Sequence, residues 1–376
     1  MECGVSKNLN SASRILSLGF IMPYTLWFDK AGKEAIGLVG GKNASLGELI
    51  KADIPVPPGF SVTTEAYLEF LTGWGIKEVM ESILARIDVQ DVASLEAASK
   101  SIRKLMEEAP FPKKIEEEIC SDYQALAQVF DVPNLPVAVR SSATAEDLPG
   151  ASFAGQQDTF LWVKGCNEVL EKIKLCMSSL FTPRAISYRK KMGFPHEKVL
   201  ISVGIQKIVD AIAAGVMFTL NPLNGDPSKV VIEGNWGLGE TVVSGQVNPD
   251  KFVVDKVTKE IERTVSQKGI ECIFDPEKGM VCHPDIPPER QEIQCIKDEE
   301  VLELARYAKR VEEYYGCPQD IEWAIDKNRP FPFNIFMLQS RPETVWSQRK
   351  KEPVLGKKGA YELLMEKALT RIKVNY

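Results

Sequence analysis

Residues 319–341, QDIEWAIDKNRPFPFNIFMLQSR, read as two strands joined by a proline-rich turn. Alternate side chains of a strand share a face. Asp320 and Glu322 therefore lie together, with Ile321 and Trp323 turned the other way. In the second run Ile335, Met337, Gln339 and Arg341 share a face, and Phe336 and Leu338 are expected to face the core. Glu322, Gln339 and Arg341 are polar residues in otherwise apolar runs and can converge on one surface. A carboxylate and an amide oxygen suit a hard Mg²⁺ ion, and an adjacent arginine suits the phosphate that such an ion bridges. A structural Glu–Arg pair on an exposed sheet face would use the same residues, and alternation alone does not separate the two.

Working outward, residues 137–163, VAVRSSATAEDLPGASFAGQQDTFLWV, start as an apolar strand that stops at Arg140. A loop of small residues follows, with two glutamines beside Asp158 and Thr159. A strand ending in an arginine and opening into such a loop suits an anion. Lys42 follows GLVGG, whose glycines let backbone approach a ligand, and precedes a stretch expected to begin a helix. Asn43 stands where a Walker loop needs serine or threonine. Val242 replaces the third glycine of a dinucleotide fingerprint in GNWGLGETVV. Each glycine cluster can equally be a turn. Gln206 ends an apolar run, as a strand-edge residue or as an amide facing a bound base. His196 and His283 flank prolines with no nearby catalytic partner, and both read as surface residues.

The chain has 376 residues, 44% hydrophobic and 26% charged, with a net charge of -6. That supports two or three lobes with real cores and gives no general basic footprint for nucleic acid. No run approaches the roughly 20 apolar residues of a membrane span, so the protein reads as cytoplasmic. The 8 cysteines form no CxxC and there are only 2 histidines, an inventory that argues against zinc and for free buried thiols.

The expected organisation is an N-terminal extension over 1–24, a helix-rich first lobe over 25–205, a second lobe over 206–346, and a basic linker with a C-terminal helix over 347–376. Ser45 and Glu48 have capping-box spacing. Helical patterns run over 95–108, 113–130, from Glu168 to about Lys191, and over 298–315. Residues 199–255 read as β-rich.

Taken together, GLVGGKNASLGEL, VPPGFSVTTEAY, VAVRSSATAEDLPGASFAGQQDTFL, AAGVMFTLNP, GLGETVVSGQVNPD, DIEWAID and LQSRPETVW resemble the nucleotide-binding domain of the phosphoenolpyruvate synthase and pyruvate phosphate dikinase family, which includes rifamycin phosphotransferases. They occur in the family's order across residues 26–346. The resemblance implies an α/β (α+β), ATP-grasp-like two-lobed fold with ATP and Mg²⁺ between the lobes. By position in the motifs, Lys42 and Arg140 would hold the ATP phosphates, with Arg341 beside the β- and γ-phosphates; these three are the candidate catalytic residues. Gln156 and Thr159 belong to the loop that would cover the phosphates, and Gln206 would face the adenine. Glu322 and Gln339 would ligate Mg²⁺. Glu240 and Asp320 would stand behind the metal ligands or on the ribose side.

Full-length family members also carry a swivelling domain whose histidine accepts a pyrophosphoryl group, and a domain that passes phosphate to pyruvate or another acceptor. Neither His196 nor His283 sits in the T-x-x-H-like motif of that carrier. The resemblance thus implies an ATP-binding subunit working with a partner subunit that supplies the phosphohistidine and acceptor site. Phenylphosphate synthase is divided in this way, which makes phenol the first acceptor expected and pyruvate the second. A fragment of a one-chain synthase or rifamycin phosphotransferase, and a non-catalytic ATP-sensing regulator, are the alternatives.

Overall fold

The computed structural model of the chain describes residues 23–144, 147, 148, 151, 152 and 158–346. Two compact units divide it, residues 1–342 and 343–376. In the second, Glu343 accepts the backbone N–H groups of Val345 and Trp346. The extension expected over 1–24 lies almost wholly outside the described residues, and the linker and helix over 347–376 entirely so.

The first sheet is built from β1 (Thr25–Trp27), β2 (Gly59–Val62) and β3 (Val137–Ala143). A short pair, β4 (Asp147–Leu148) and β5 (Ala151–Ser152), precedes β6 (Thr159–Val163) and β7 (Ile201–Lys207). Its strand order is β1-β2-β7-β3-β6, antiparallel throughout. Seven α-helices accompany these strands among the described residues: α1 (Ile36–Lys51), α2 (Thr64–Gly73), α3 (Ile76–Ala85), α4 (Val92–Glu108), α5 (Lys113–Val129), α6 (Cys166–Ser178) and α7 (Pro183–Lys191). Phe60, Val62, Val137, Val139, Val203 and Ile205 share one fully buried core with Phe70, Ile102, Ile115, Ile119 and Ile173. Each such side chain contributes about 1.5–3 kcal/mol on burial, so packing rather than helix propensity holds these helices.

Three local expectations change. The helix expected from Glu168 to Lys191 is two helices, because a 3-10 turn at Ser179–Phe181 intervenes. Pro183 then starts α7, where a missing N–H costs nothing, and the Thr182 hydroxyl caps Ala185. Ser45 and Glu48 form no capping box, since α1 begins at Ile36. Ser45 instead donates to the Ser340 carbonyl, and Glu48 accepts from Lys33 N–H and the Tyr314 hydroxyl. The thiols are not all free: Cys120 of α5 and Cys166 of α6 form a disulfide.

The second sheet begins with β8 (Ala211–Phe218) and β9 (Lys229–Trp236). A one-turn helix, α8 (Glu240–Val243), leads to β10 (Asp250–Asp255) and β11 (Ile261–Thr264). The hairpin of β12 (Ile273–Asp275) and β13 (Met280–Cys282) stands apart from the sheet. After the one-turn α9 (Pro288–Gln291) comes α10 (Asp298–Tyr315), the helix its sequence pattern predicts, ended by Gly316 in the left-handed region. β14 (Gln319–Asp326) and β15 (Ile335–Pro342) complete the antiparallel order β11-β10-β9-β8-β14-β15. Val301, Leu304, Ala308 and Val311 of α10 pack on Ile232, Phe252, Ile321 and Trp323.

The last hairpin departs from simple alternation. Ile335 and Met337, not Phe336 and Leu338, are fully buried beneath α10. Glu322 pairs with Gln339 whereas Trp323 pairs with Met337, so Leu338 is an extra residue, a β-bulge. The bulge reverses the phase of β15. Gln339 and Arg341 are thereby lifted to the face opposite Met337, alongside Glu322 and Asp320.

A fully buried ion pair anchors the return from α8. Lys268 Nζ lies 2.6 Å from Asp250 Oδ1, and both side chains are 0% exposed. Asp250 also accepts from the N–H groups of Ser266 and Cys295. Removing one partner strands the other charge, so Asp250→Ala should lose about 3–5 kcal/mol of unfolding free energy in a denaturant titration. A loss below about 1 kcal/mol would contradict the buried pair.

Candidate functional site

Arg140 extends from β3 across to the bulge in β15. Its Nη1 donates to the Leu338 carbonyl at 3.0 Å. Nη2 donates to Glu322 Oε2 at 2.7 Å and to Gln339 Oε1 at 3.2 Å. The bulge thus turns Gln339 toward Glu322, and the carbonyl of its extra residue accepts from the same guanidinium. One cationic nitrogen sits between a carboxylate and an amide oxygen, an oxygen pair suited to a hard divalent cation. The donor set therefore fits Mg²⁺, with the guanidinium standing where positive charge is wanted.

Strand register assembles the surrounding floor. Glu233, Val216, Glu322 and Gln339 form one row across β9, β8, β14 and β15. Phe218, Asp320 and Arg341 form the next. Arg341 donates from Nε and Nη2 to Asp320 Oδ2 at 2.9 and 2.7 Å. These residues line an open pocket of about 250 Å³, with Val242 and Val243 of α8 on its rim. Glu233 was not among the sequence candidates. The available signal was a single acid in the apolar run VVIEGNW.

Lys42 lies near this cluster through a break in α1. Gly40 interrupts the helix with φ of 72°, and Asn43 N–H beyond it donates to Ser142 Oγ at 3.3 Å. A Cβ at Gly40 would collide with the Ser142 carbonyl, so glycine is required both by the dihedral and by the close approach. Lys42 Nζ donates to the Ser141 carbonyl at 3.4 Å. Thr159 pairs with Arg140 in the first sheet. Gln206 is buried and donates to the Pro57 carbonyl at 3.3 Å. Glu240 is not in the pocket lining; it lies near Cys272 and His283. Gln156 falls outside the described residues. His196 is not a bare surface residue, because its Nδ1 accepts from the buried Arg189 at 2.8 Å.

Burial pushes the Glu322 carboxyl up, but the charge and hydrogen bond of Arg140, followed by Lys42 and Arg341, outweigh it and hold the group below its ordinary value. A depressed folded value stabilises the protein at pH above the unfolded carboxyl range, near about 4.3. That stabilisation fades as pH falls through the lower folded value. Unfolding free energies measured from pH 7 down to 3 should therefore fall more steeply for the parent chain than for Glu322→Gln. Parallel curves would contradict the ion pair.

The family model for the pyruvate phosphate dikinase AMP/ATP-binding domain matches residues 36–360. A probable phosphoenolpyruvate synthase of Staphylothermus marinus is 46% identical over 364 residues, covering 89% of this chain and 43% of that protein. A probable phosphoenolpyruvate synthase of Methanocaldococcus jannaschii is 45% identical, covering 89% of this chain and 28% of that protein. The phosphoenolpyruvate synthase of Aeropyrum pernix is 44% identical, covering 87% and 43%. The chain spans less than half the length of these relatives. With its mixed helices and antiparallel sheets in an ATP-grasp-like arrangement, the chain belongs to the pyruvate phosphate dikinase AMP/ATP-binding domain family.

Proposed function

We propose that this chain binds Mg-ATP at the Arg140–Glu322–Gln339 cluster and donates its pyrophosphoryl group to a histidine supplied from outside this sequence. The observation that carries the reading is the single Arg140 nitrogen shared by Glu322 and Gln339. Glu322 and Gln339 are the Mg²⁺ ligands in this reading. Bound there, the ion would neutralise phosphate charge during transfer. Arg140 then exchanges its carboxylate for phosphate oxygens, the other natural partner of a guanidinium fork. Lys42 and Arg341 add positive charge beside it. Thr159, which opens β6 opposite Arg140, is the candidate contact where the chain would cover the phosphates, and Gln206 is the candidate adenine contact.

The reaction joins the histidine nitrogen to the β-phosphorus and breaks the bond to the α-phosphate oxygen, releasing AMP. The protein contributes position and charge, which dominate phosphoryl transfer generally. The chain's own histidines are engaged elsewhere, His196 with Arg189 and His283 beside Glu240. This reading places the carrier on a partner subunit or on an adjoining domain. The relatives' names favour pyruvate as the final acceptor over phenol, reversing the order expected from domain arrangement.

The test is the nucleotide product. The purified chain is incubated with Mg-ATP, alone and with the remaining domains of a related synthase, and AMP is separated from ADP. AMP that requires the added domains is the expected result, and adding pyruvate or phenol then distinguishes the acceptors. Glu322→Gln should reduce AMP formation about 100-fold or more. ADP made by the chain alone would refute the mechanism, and tight ATP binding without turnover under both conditions would favour a nucleotide sensor.

A further inference from the structure

Three side chains distant in sequence meet beside α8. Cys272 precedes β12 and His283 follows β13, and continuing the Ile273–Cys282 pairing sets them opposite each other. Glu240, the first residue of α8, joins them. Its Oε2 is 3.8 Å from Cys272 Sγ, and its Oε1 is 3.9 Å from His283 Nε2. All three ligand atoms lie within 4.8 Å of one another.

Zinc bonded at about 2.3 Å to sulfur and about 2.0–2.1 Å to nitrogen or oxygen holds neighbouring tetrahedral ligands about 3.3–3.6 Å apart. Small rotations of Glu240 and His283, whose side chains are 47% and 34% exposed, would reach that spacing. The fully buried Cys272 supplies the fixed corner. A thiolate and a carboxylate offset a dication's charge, and sulfur with imidazole selects zinc-class metals over magnesium. The spacing 240, 272, 283 matches no zinc signature, which is why the cysteine and histidine inventory argued against such a site.

We propose that Glu240, Cys272 and His283 bind a zinc-class divalent transition metal, with the fourth position left to water. Coordination would replace the Cys272 thiol proton, released to solvent. The ion would fasten α8 to the β12–β13 hairpin. α8 carries Val242 and Val243, which rim the pocket of Glu322 and Gln339. The hairpin carries Phe274, stacked 4.5 Å from Trp162 of β6. The metal would therefore brace one wall of the nucleotide pocket against the first sheet.

The test uses the chelator-treated chain titrated with Co²⁺ in excess Mg²⁺, which occupies oxygen-only sites. One Co²⁺ per chain with thiolate-to-cobalt charge-transfer absorption is expected. Cys272→Ser should abolish that absorption and Cys317→Ser should retain it, both with unchanged circular dichroism. His283→Ala and Glu240→Gln, at exposed side chains, should each weaken Co²⁺ binding by about 10-fold or more. No thiolate absorption in the parent chain, or its persistence in Cys272→Ser, overturns the site. If Cys272→Ser does not fold, undiminished Co²⁺ affinity in both exposed-residue variants overturns it.

Discussion

The Arg140 guanidinium is the constraint on which the rest of the site depends. It arises in the first sheet and ends on three acceptors of the second. Each sheet has its own hydrophobic core, and Leu49 of α1, with Ala52 and Ile54 after it, packs into that of the second, so burial already joins the two. A directional, charge-assisted fork supplies what non-directional packing does not. Glu322 is a partly buried carboxylate that would be costly without a counter-ion, and Arg140 provides one before any ligand arrives. In the proposed function, a triphosphate with its metal would exchange one set of charge pairs for another, rather than create charge in an unprepared cleft.

Much of this was legible from residue pattern. Polar Glu322, Gln339 and Arg341 in apolar strands marked a shared polar face, and the helix at 298–315 followed from its periodicity. The abrupt arginine closing VAV marked Arg140 as an anion holder, while its pairing with Glu322 and Gln339 came only with the structure. What failed was phase. Period-two reasoning placed Ile335 and Met337 on the polar face because nothing in NIFMLQSR announces an additional residue. A bulge is a property of two paired strands, and one strand's sequence does not encode it. The long helix after Glu168 failed for a different reason: Pro183 was visible, but the turn before it was outweighed by continuous amphipathic patterning.

Long-range coincidence was also beyond reach. Glu233 is brought into the pocket by two successive strand registers, each set elsewhere in the chain. Cys120 and Cys166, separated by 46 residues, meet only because α5 and α6 pack side by side. The Glu240, Cys272 and His283 group depends on a hairpin that belongs to neither large sheet. In each case the local chemistry of the residue was plain, and its neighbours were decided by topology.

The bulge at Leu338 gives β15 a parity. Up to Met337 the odd-numbered positions are buried, and from Gln339 onward they face the pocket. Sequence drift by substitution leaves this parity untouched, so side chains on either segment can vary within their own chemistry. A change of length by one residue between Met337 and Gln339 inverts it, sending Gln339 and Arg341 into apolar surroundings together. The hairpin should therefore accept many replacements and almost no insertions or deletions there, a tolerance set by counting rather than by chemistry.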